Sequence, residues 1–466
     1  MKTVGIIAEY DPLHCGHAYH LKKARELSGA DYVIAVMSPD FTQRGEPALI
    51  DKWIRGRMAL DAGADLVLEL PVRSAAGSAE FFAGGGVRLL DSLGCVDALS
   101  FGCEEADKFE LLRQAARFFA GKEPEAYQTV LRNKLREGVS FPRARAQAFV
   151  SLHEAGRAGL AAPGRAARAA SDGGLSSGGT ASDYGLSSGN APYADFTPDE
   201  VMDSLARPNN ILAIEYMKAA IRLGSPMKMI PVKRLGDYHQ GQAFASAGSS
   251  DSRDNLQDAD NVQASNRQVP PGGFSSASAI RTALLEHNMI LPERYVSQLP
   301  SSSLALLSDE LKCGRWVVPG DLDLLLHHEL LDMRGRLQEF ADIDEDLSNR
   351  IDKYLNQYTG FMQFAALIQS KQYTLARIRR SLLHVLLRIR KDEKPALCAR
   401  VLGFRKTAQP LLRQISAHSL VPLSTGIPFS DIPNEDIYAS HLWEMIVTNK
   451  TGRGLRHERQ RQIIVM

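Results

Sequence analysis

Two histidines three residues apart, with a glycine between them, are the residues of this sequence best placed to do chemistry. They belong to Tyr10-Asp11-Pro12-Leu13-His14-Cys15-Gly16-His17, directly after the apolar run Val4–Ala8. A helical pattern starts at His17. Glycine at 16 lets the backbone turn tightly and approach a ligand. The helix start offers unsatisfied N–H groups and a positive dipole end to an anion. Each imidazole can donate a hydrogen bond to a phosphate oxygen. Attack on an α-phosphate puts negative charge on oxygens in the transition state, and fixed donors stabilise it without a nucleophilic side chain. His14 and His17 therefore read as catalytic residues of nucleotidyl transfer. Metal ligation is a competing use of His14, His17 and His20 with Asp11 and Cys15. Pro12 and Gly16 interrupt any continuous helix that would align them, so no metal site is expected. Ordinary core or surface histidines are the plain alternative, and the strand–Asp-Pro–helix setting favours the nucleotide.

A second cluster is Ser275-Ser276-Ala277-Ser278-Ala279-Ile280-Arg281. Hydroxyls of Ser276 and Ser278 at a helix start, with Arg281 close by, would grip a polyphosphate or a leaving pyrophosphate. An N-cap beside a surface arginine is the plain alternative.

The first hundred residues hold the elements that must position these groups. Val4–Ala8, Asp31–Met37, Asp65–Leu70 and Val96–Phe101 read as buried strands. His17–Leu27, Asp51–Ala62 and Ala79–Leu93 read as helices between them. This alternation predicts parallel βαβ units in an α/β sheet, with ligands beyond the carboxyl ends of the strands. Residues 155–192 and 240–274 read as flexible insertions by composition. A helix over 208–223 and a strand over 229–233 lie between them. From about residue 290 the chain looks helical, which sets the expected boundary between a nucleotide-binding domain, 1–290, and a helical domain, 291–466.

Five scattered cysteines and no Cys-x-x-Cys read as reduced thiols. No apolar leader and no run of about 20 apolar residues is present, so the expected location is the cytoplasm. Lys+Arg total 55 and Asp+Glu 54, but the balance hides an asymmetry. Residues 371–466 carry 17 Lys+Arg against 7 Asp+Glu, and residues 1–370 carry 38 against 47. A basic tail suits RNA. On a helix over Leu375–Lys391, Arg377, Arg380, Arg388 and Lys391 would share one face opposite Ile378, Leu382, Val385, Leu386 and Ile389. With Lys371 they are the candidate RNA contacts, and Tyr373 could stack on an unpaired base. A solvated basic face is the plain alternative.

Asp11-Pro12-x-His14-x-Gly16-His17 resembles the signature of the HIGH superfamily of nucleotidylyltransferases, and SSASAIR resembles its second motif. Glu9-Tyr10, Met37–Phe41, Gln43–Ala48, Phe101–Glu104, Pro208–Leu212, Lys233-Arg234, Lys371–Thr374, Arg377–Arg380 and Arg400–Phe404 narrow the likeness. Together they resemble the bacterial tRNA(Met) cytidine acetate ligase family, from residue 1 to about 440. The resemblance implies a Rossmann-like HIGH domain followed by a mainly α-helical C-terminal domain. It implies that ATP, with Mg²⁺, activates acetate as acetyl-adenylate, and that the acetyl group passes to N4 of the wobble cytidine of elongator tRNA(Met). ATP would contact Ile7, Ala8, Glu9, Tyr10, Asp11, Pro12, Leu13, His14, Cys15, Gly16, His17, Ala18, Tyr19 and His20. Gly102, Asn209, Arg234 and Leu235 would complete its site with Ser276, Ser278 and Arg281. Gly102 as a turn, Asn209 as an N-cap and Arg234 as a surface charge are their structural alternatives. Gln43, Arg44 and Glu46 are candidates for the acetate pocket. Relatives often have Asn at positions 11 and 15, and Ala277 stands where the superfamily carries a hydroxyl. An adenylyltransferase making a nucleotide cofactor is the alternative enzyme, and a non-catalytic RNA-binding protein a third possibility.

Overall fold

In the computed structural model the described residues are 1–161, 196–235, 273–392, 397–425, 432–454 and 457–466. Most of both expected insertions lies outside them. The first strand, β1 (Thr3–Ala8), is buried on both faces, as its near-continuous apolar sequence requires. Helix α1 (Cys15–Ser28) follows, then β2 (Tyr32–Met37), α2 (Lys52–Asp61), β3 (Leu66–Glu69), α3 (Ala79–Ser92) and β4 (Ala98–Cys103). A helical excursion carries α4 (Glu125–Arg136), α5 (Phe141–Ala161) and α6 (Pro208–Leu223), after which β5 (Lys228–Lys233) completes the parallel strands. The order β5-β4-β1-β2-β3 puts the first strand in the middle. Val4 and Ile6 pack one face with Val33, Ala35 and Met37. Ile7 packs the other with Ile34 and Val36. This is the period of two that sends successive side chains to opposite faces.

Beyond residue 273, α7 (Ala277–Glu286) packs Ile280 and Leu284 into the core that holds Val4 and Ile6, and further helices up to α8 (Leu375–Leu386) pack a second core around Leu326, Phe340, Phe364 and Leu382. The expected boundary at 290 does not separate a sheet from a helical body. Strand β6 (Ala399–Phe404) runs antiparallel to β3 and extends the same sheet, with β7 (Leu423–Ser424) and β8 (Ile464–Val465) parallel to it. Helix α9 (Asn434–Thr451) joins the second core through Leu442, Trp443 and Val447. The tail returns because Val401 and Leu402 find buried places on opposite faces of the sheet. Among the described residues no helix is long and apolar enough to cross a membrane.

Candidate functional site

The chain leaves β1 for β2 on one side of the sheet and later returns to β4 on the other. Crevices at such switch points, beyond the carboxyl ends of strands, are where α/β sheets bind ligands. A cavity of about 540 Å³ opens here, lined by Ile7 and Ala8 of β1, Phe101 and Gly102 of β4, and Val232 and Lys233 of β5. The volume is that of an ordinary small-molecule site.

His14 caps α1. Its Nδ1 accepts from the Gly16 N–H at 3.0 Å, and the His17 Nδ1 accepts from the His14 N–H at 3.3 Å. The two rings stack with centroids 3.8 Å apart. Gly16 makes this possible, since a Cβ there would lie 2.8 Å from the His14 ring. The helix begins at Cys15, so both histidines belong to its cap and first turn rather than flanking its start. The expected free N–H groups are spent: Cys15 donates to Gln298 O, Gly16 to His14, and His17 to His14 O. Anion binding therefore falls to the imidazoles and the helix dipole.

Burial, then the charge of Arg234, pushes His14 down to about 3 and His20 down to about 4. His17 lies well below the ordinary histidine value through burial, then His14, Arg234 and His20. All three are neutral at pH 7. A neutral ring whose Nδ1 accepts must carry its proton on Nε2. His14 and His17 each present one Nε2–H donor.

The second motif arrives from across the cavity. Ser276 caps α7 by accepting from the Ala279 N–H at 3.2 Å. Arg281 donates to the Asp11 carbonyl at 2.5 Å and lies 3.4 Å from its carboxylate, while Asp11 accepts from the Leu49 N–H at 2.8 Å. The two motifs are thus tied together through Asp11. On the far side, Arg234 donates to Asn209 Oδ1 at 3.1 Å, and Asn209 donates to Glu104 at 2.7 Å. Asn209 is not the N-cap of α6, which is Arg207. At Gly102 a Cβ would meet Arg234 only at 3.7 Å, so the protein itself leaves room there.

Glu9, Tyr10, Asp11, Gly16, Tyr19, His20, Gln43, Arg44, Leu235 and Ser276 also line the cavity. Pro12, Leu13, Cys15, Ala18 and Ser278 do not. Leu13 is core, and the Cys15 thiol donates to Ser297 O at 3.7 Å. Ser278 accepts instead from Arg44 at 3.4 Å. Glu46 is also off the cavity, paired with Arg379 at 2.6 Å.

The expected basic face of the C-terminal helix is not formed. Helix α8 ends at Leu386, and Arg388 takes a left-handed φ of 58°, so Arg388 and Lys391 leave the helical register. Arg377 pairs with Asp344 at 2.8 Å, Arg388 with Glu329 at 3.0 Å, and Arg380 with Asp342 at 3.4 Å. Tyr373 is 2% exposed and its hydroxyl donates to Asp344, so it offers no ring face to a base. Arg380 turns instead into the cavity, beside Ala376.

Sequence reasoning missed Phe82, Phe101, Tyr216 and Phe274 in the lining. Asn209, Leu212 and Tyr216 follow one face of α6 at spacings of three and four, a signal that was readable. It also missed Arg55, fully buried in α2, which donates to Glu9 O at 2.7 Å, Ser38 O at 3.0 Å and Pro39 O. These bonds lock the ends of β1 and β2 beneath the site.

The HIGH Nucleotidyl Transferase family model matches residues 1–274 and 264–458. The chain is 32% identical to the tRNA(Met) cytidine acetate ligase of Thermoanaerobacter sp. (strain X514), over 98% of both chains. It is 31% identical to that of Acetivibrio thermocellus over the full length of both. Among solved structures it resembles Thermotoga maritima TmcAL bound with alpha-thio ATP, with TM-score 0.76, 28% identity, and 100% and 99% of the two chains covered. The apo form of that protein gives a TM-score of 0.77, with 28% identity and full coverage of both.

Proposed function

Because the chain belongs to the tRNA(Met) cytidine acetate ligase family of HIGH nucleotidyl transferases, we propose that its cavity binds ATP and acetate and serves acetylation of N4 of the wobble cytidine in elongator tRNA(Met). The observation that carries the reading is the pair of neutral imidazoles at the head of α1, each presenting an Nε2–H beside the end of β1. Acetate oxygen attacks the α-phosphorus, the bond to the bridging oxygen breaks, and pyrophosphate leaves. His14 and His17 donate to the α-phosphate oxygens as charge builds on them, and the dipole of α1 adds to this. Arg281, fixed on Asp11, and Ser276 receive the departing pyrophosphate. Phe82, Phe101 and Tyr216 form an apolar wall suited to the base. Gln43, Arg44 and Arg380 line the cavity where a carboxylate would be recognised. The cytidine amine then attacks the acetyl carbonyl, the bond from that carbon to the AMP phosphate oxygen breaks, and AMP leaves as the amine nitrogen gives up a proton to solvent.

The described residues place no group of three or more His, Cys, Asp or Glu that could hold a metal ion. A Mg²⁺ would be carried mainly by the ATP phosphates, as its reluctance to dehydrate favours. Bound there it would neutralise charge on the leaving group. The test is acetate-dependent ATP–pyrophosphate exchange together with transfer of labelled acetate to tRNA. His17→Ala should lower exchange by about 10²–10³. Full exchange in that variant would refute the role given to His17.

A further inference from the structure

The α4–α5 turn gives the cavity a neighbour that carries both charge and an exposed aromatic ring. Gly138, in that turn, packs on the side chain of Lys371, its Cβ position 3.0 Å from Lys371 Cδ. From Lys371 the chain runs through Thr374, the cap of α8, to Ala376 and Arg380 in the cavity lining. The turn is therefore linked through Lys371 to the helix that lines the cavity. Arg136 ends α4 and Arg143 lies in the first turn of α5. Both are exposed, as is Lys371, and none of the three enters an ion pair among the described residues. Lys134 is discounted, because Glu137 neutralises it at 2.8 Å. Between the two arginines Phe141 is 51% exposed at the start of α5. Within α8, Arg377 and Arg379 face carboxylates of the protein, and Arg380 belongs to the cavity itself.

We infer that the tip of the α4–α5 hairpin, with Lys371, is the surface on which the anticodon loop docks, Arg136, Arg143 and Lys371 meeting phosphates and Phe141 stacking on an unpaired base. RNA loops are recognised in this way, by aromatic faces on splayed bases and by cations along the backbone. The large exposed apolar side chains here are Phe141 and Leu135, too few for the apolar centre of a protein interface, whereas a loop of RNA needs one ring and several cations. The proposal rests on tRNA being the acceptor.

The test measures tRNA binding and acetate-dependent ATP–pyrophosphate exchange separately in the full-length protein. Arg136→Glu/Arg143→Glu should weaken tRNA binding at least tenfold and reduce the slope of log affinity against log salt by about 1.5–2, as two lost phosphate contacts require. Phe141→Ala should weaken binding about fivefold or more, and Phe141→Tyr should restore it. Exchange without tRNA should stay within twofold of the parent. Unchanged binding and salt slope in the double variant, with a wild type that acetylates tRNA, would overturn the surface alone. Loss of exchange alongside binding would overturn it too, since this surface lies outside the ATP cavity. A wild type that neither binds nor acetylates tRNA would overturn the surface and the acceptor together.

Discussion

A buried imidazole that accepts a backbone N–H on one nitrogen has its proton placed on the other. His14 and His17 satisfy this in turn, and Gly16 leaves the space that lets the first ring fold back. The cost of keeping such a ring neutral shows as pH dependence. His14 is 5% exposed, and its value of about 3 lies below the roughly 6.5 of an unfolded chain. Above pH 6.5 neither state takes up the proton and its contribution to stability is fully present. As pH falls from 6.5 towards 3, only the unfolded chain binds the proton, so stability is lost by about 1.4 kcal/mol per unit from this group. Urea unfolding at pH 7 and pH 5 should therefore show a smaller loss in His14→Gln than in the parent, by about 2 kcal/mol. Equal losses would mean that His14 is protonated in the folded protein. The His-x-Gly-His motif was readable because its chemistry is local. Which nitrogen carries the proton was not, because that depends on two backbone bonds that form only with the cap.

The loop after β2 shows what an element adds to its residues. It presents Gln43 and Arg44 to the cavity and is held from two sides, by Glu9 and by α8. The Gln43 N–H donates to Glu9 at 2.9 Å, Glu46 pairs with Arg379, and Gly45 lies against the backbone of α8. Gly45 has φ 73°, and a Cβ there would be 2.5 Å from Arg380 N. Gly45→Ala should thus cost about 1–3 kcal/mol in urea unfolding through strain and contact. It should also raise the KM for acetate several-fold in the exchange assay while leaving that for ATP nearly unchanged. An unaltered acetate KM would remove this loop from acetate recognition. The parallel strands and their helices were legible because period-two and helical apolar patterns were long and clean. The end of α8 was not. Ile389 keeps the helical apolar spacing of Leu382, Val385 and Leu386, yet it serves an extended turn in which Arg390 bridges to Phe340. Periodicity records that a residue is buried, and does not record which backbone brings it there.

At the scale of the molecule, the acidic front and basic tail turn out to be partners in folding. Arg400 meets Glu69 at 2.8 Å, Arg461 meets Asp51, and Arg379 meets Glu46, so cations of the tail are spent on carboxylates of the first domain. The charge asymmetry was visible in composition, but its use was not, because pairing across hundreds of residues leaves no local trace. The centre of this seam is Lys52, fully buried in α2, with Glu69 at 2.7 Å, Glu458 at 2.8 Å, Ser440 at 2.6 Å and Asp40 at 3.6 Å. Burial pushes its ammonium down, and Glu458 and Glu69 outweigh that effect and hold it above the usual lysine range. Removing one member of such a cluster leaves the others buried without their counter-charge, which typically costs 3–5 kcal/mol. Lys52→Ala should therefore lower the unfolding free energy by about that much, and protease should release the segment after α9 first, since Glu458 anchors it. Glu458→Gln added to Lys52→Ala should cost less than the sum of the two single changes, because the carboxylate stranded by the first is neutralised by the second. Strict additivity would mean that the two act independently, and that Lys52 does not anchor the tail through Glu458.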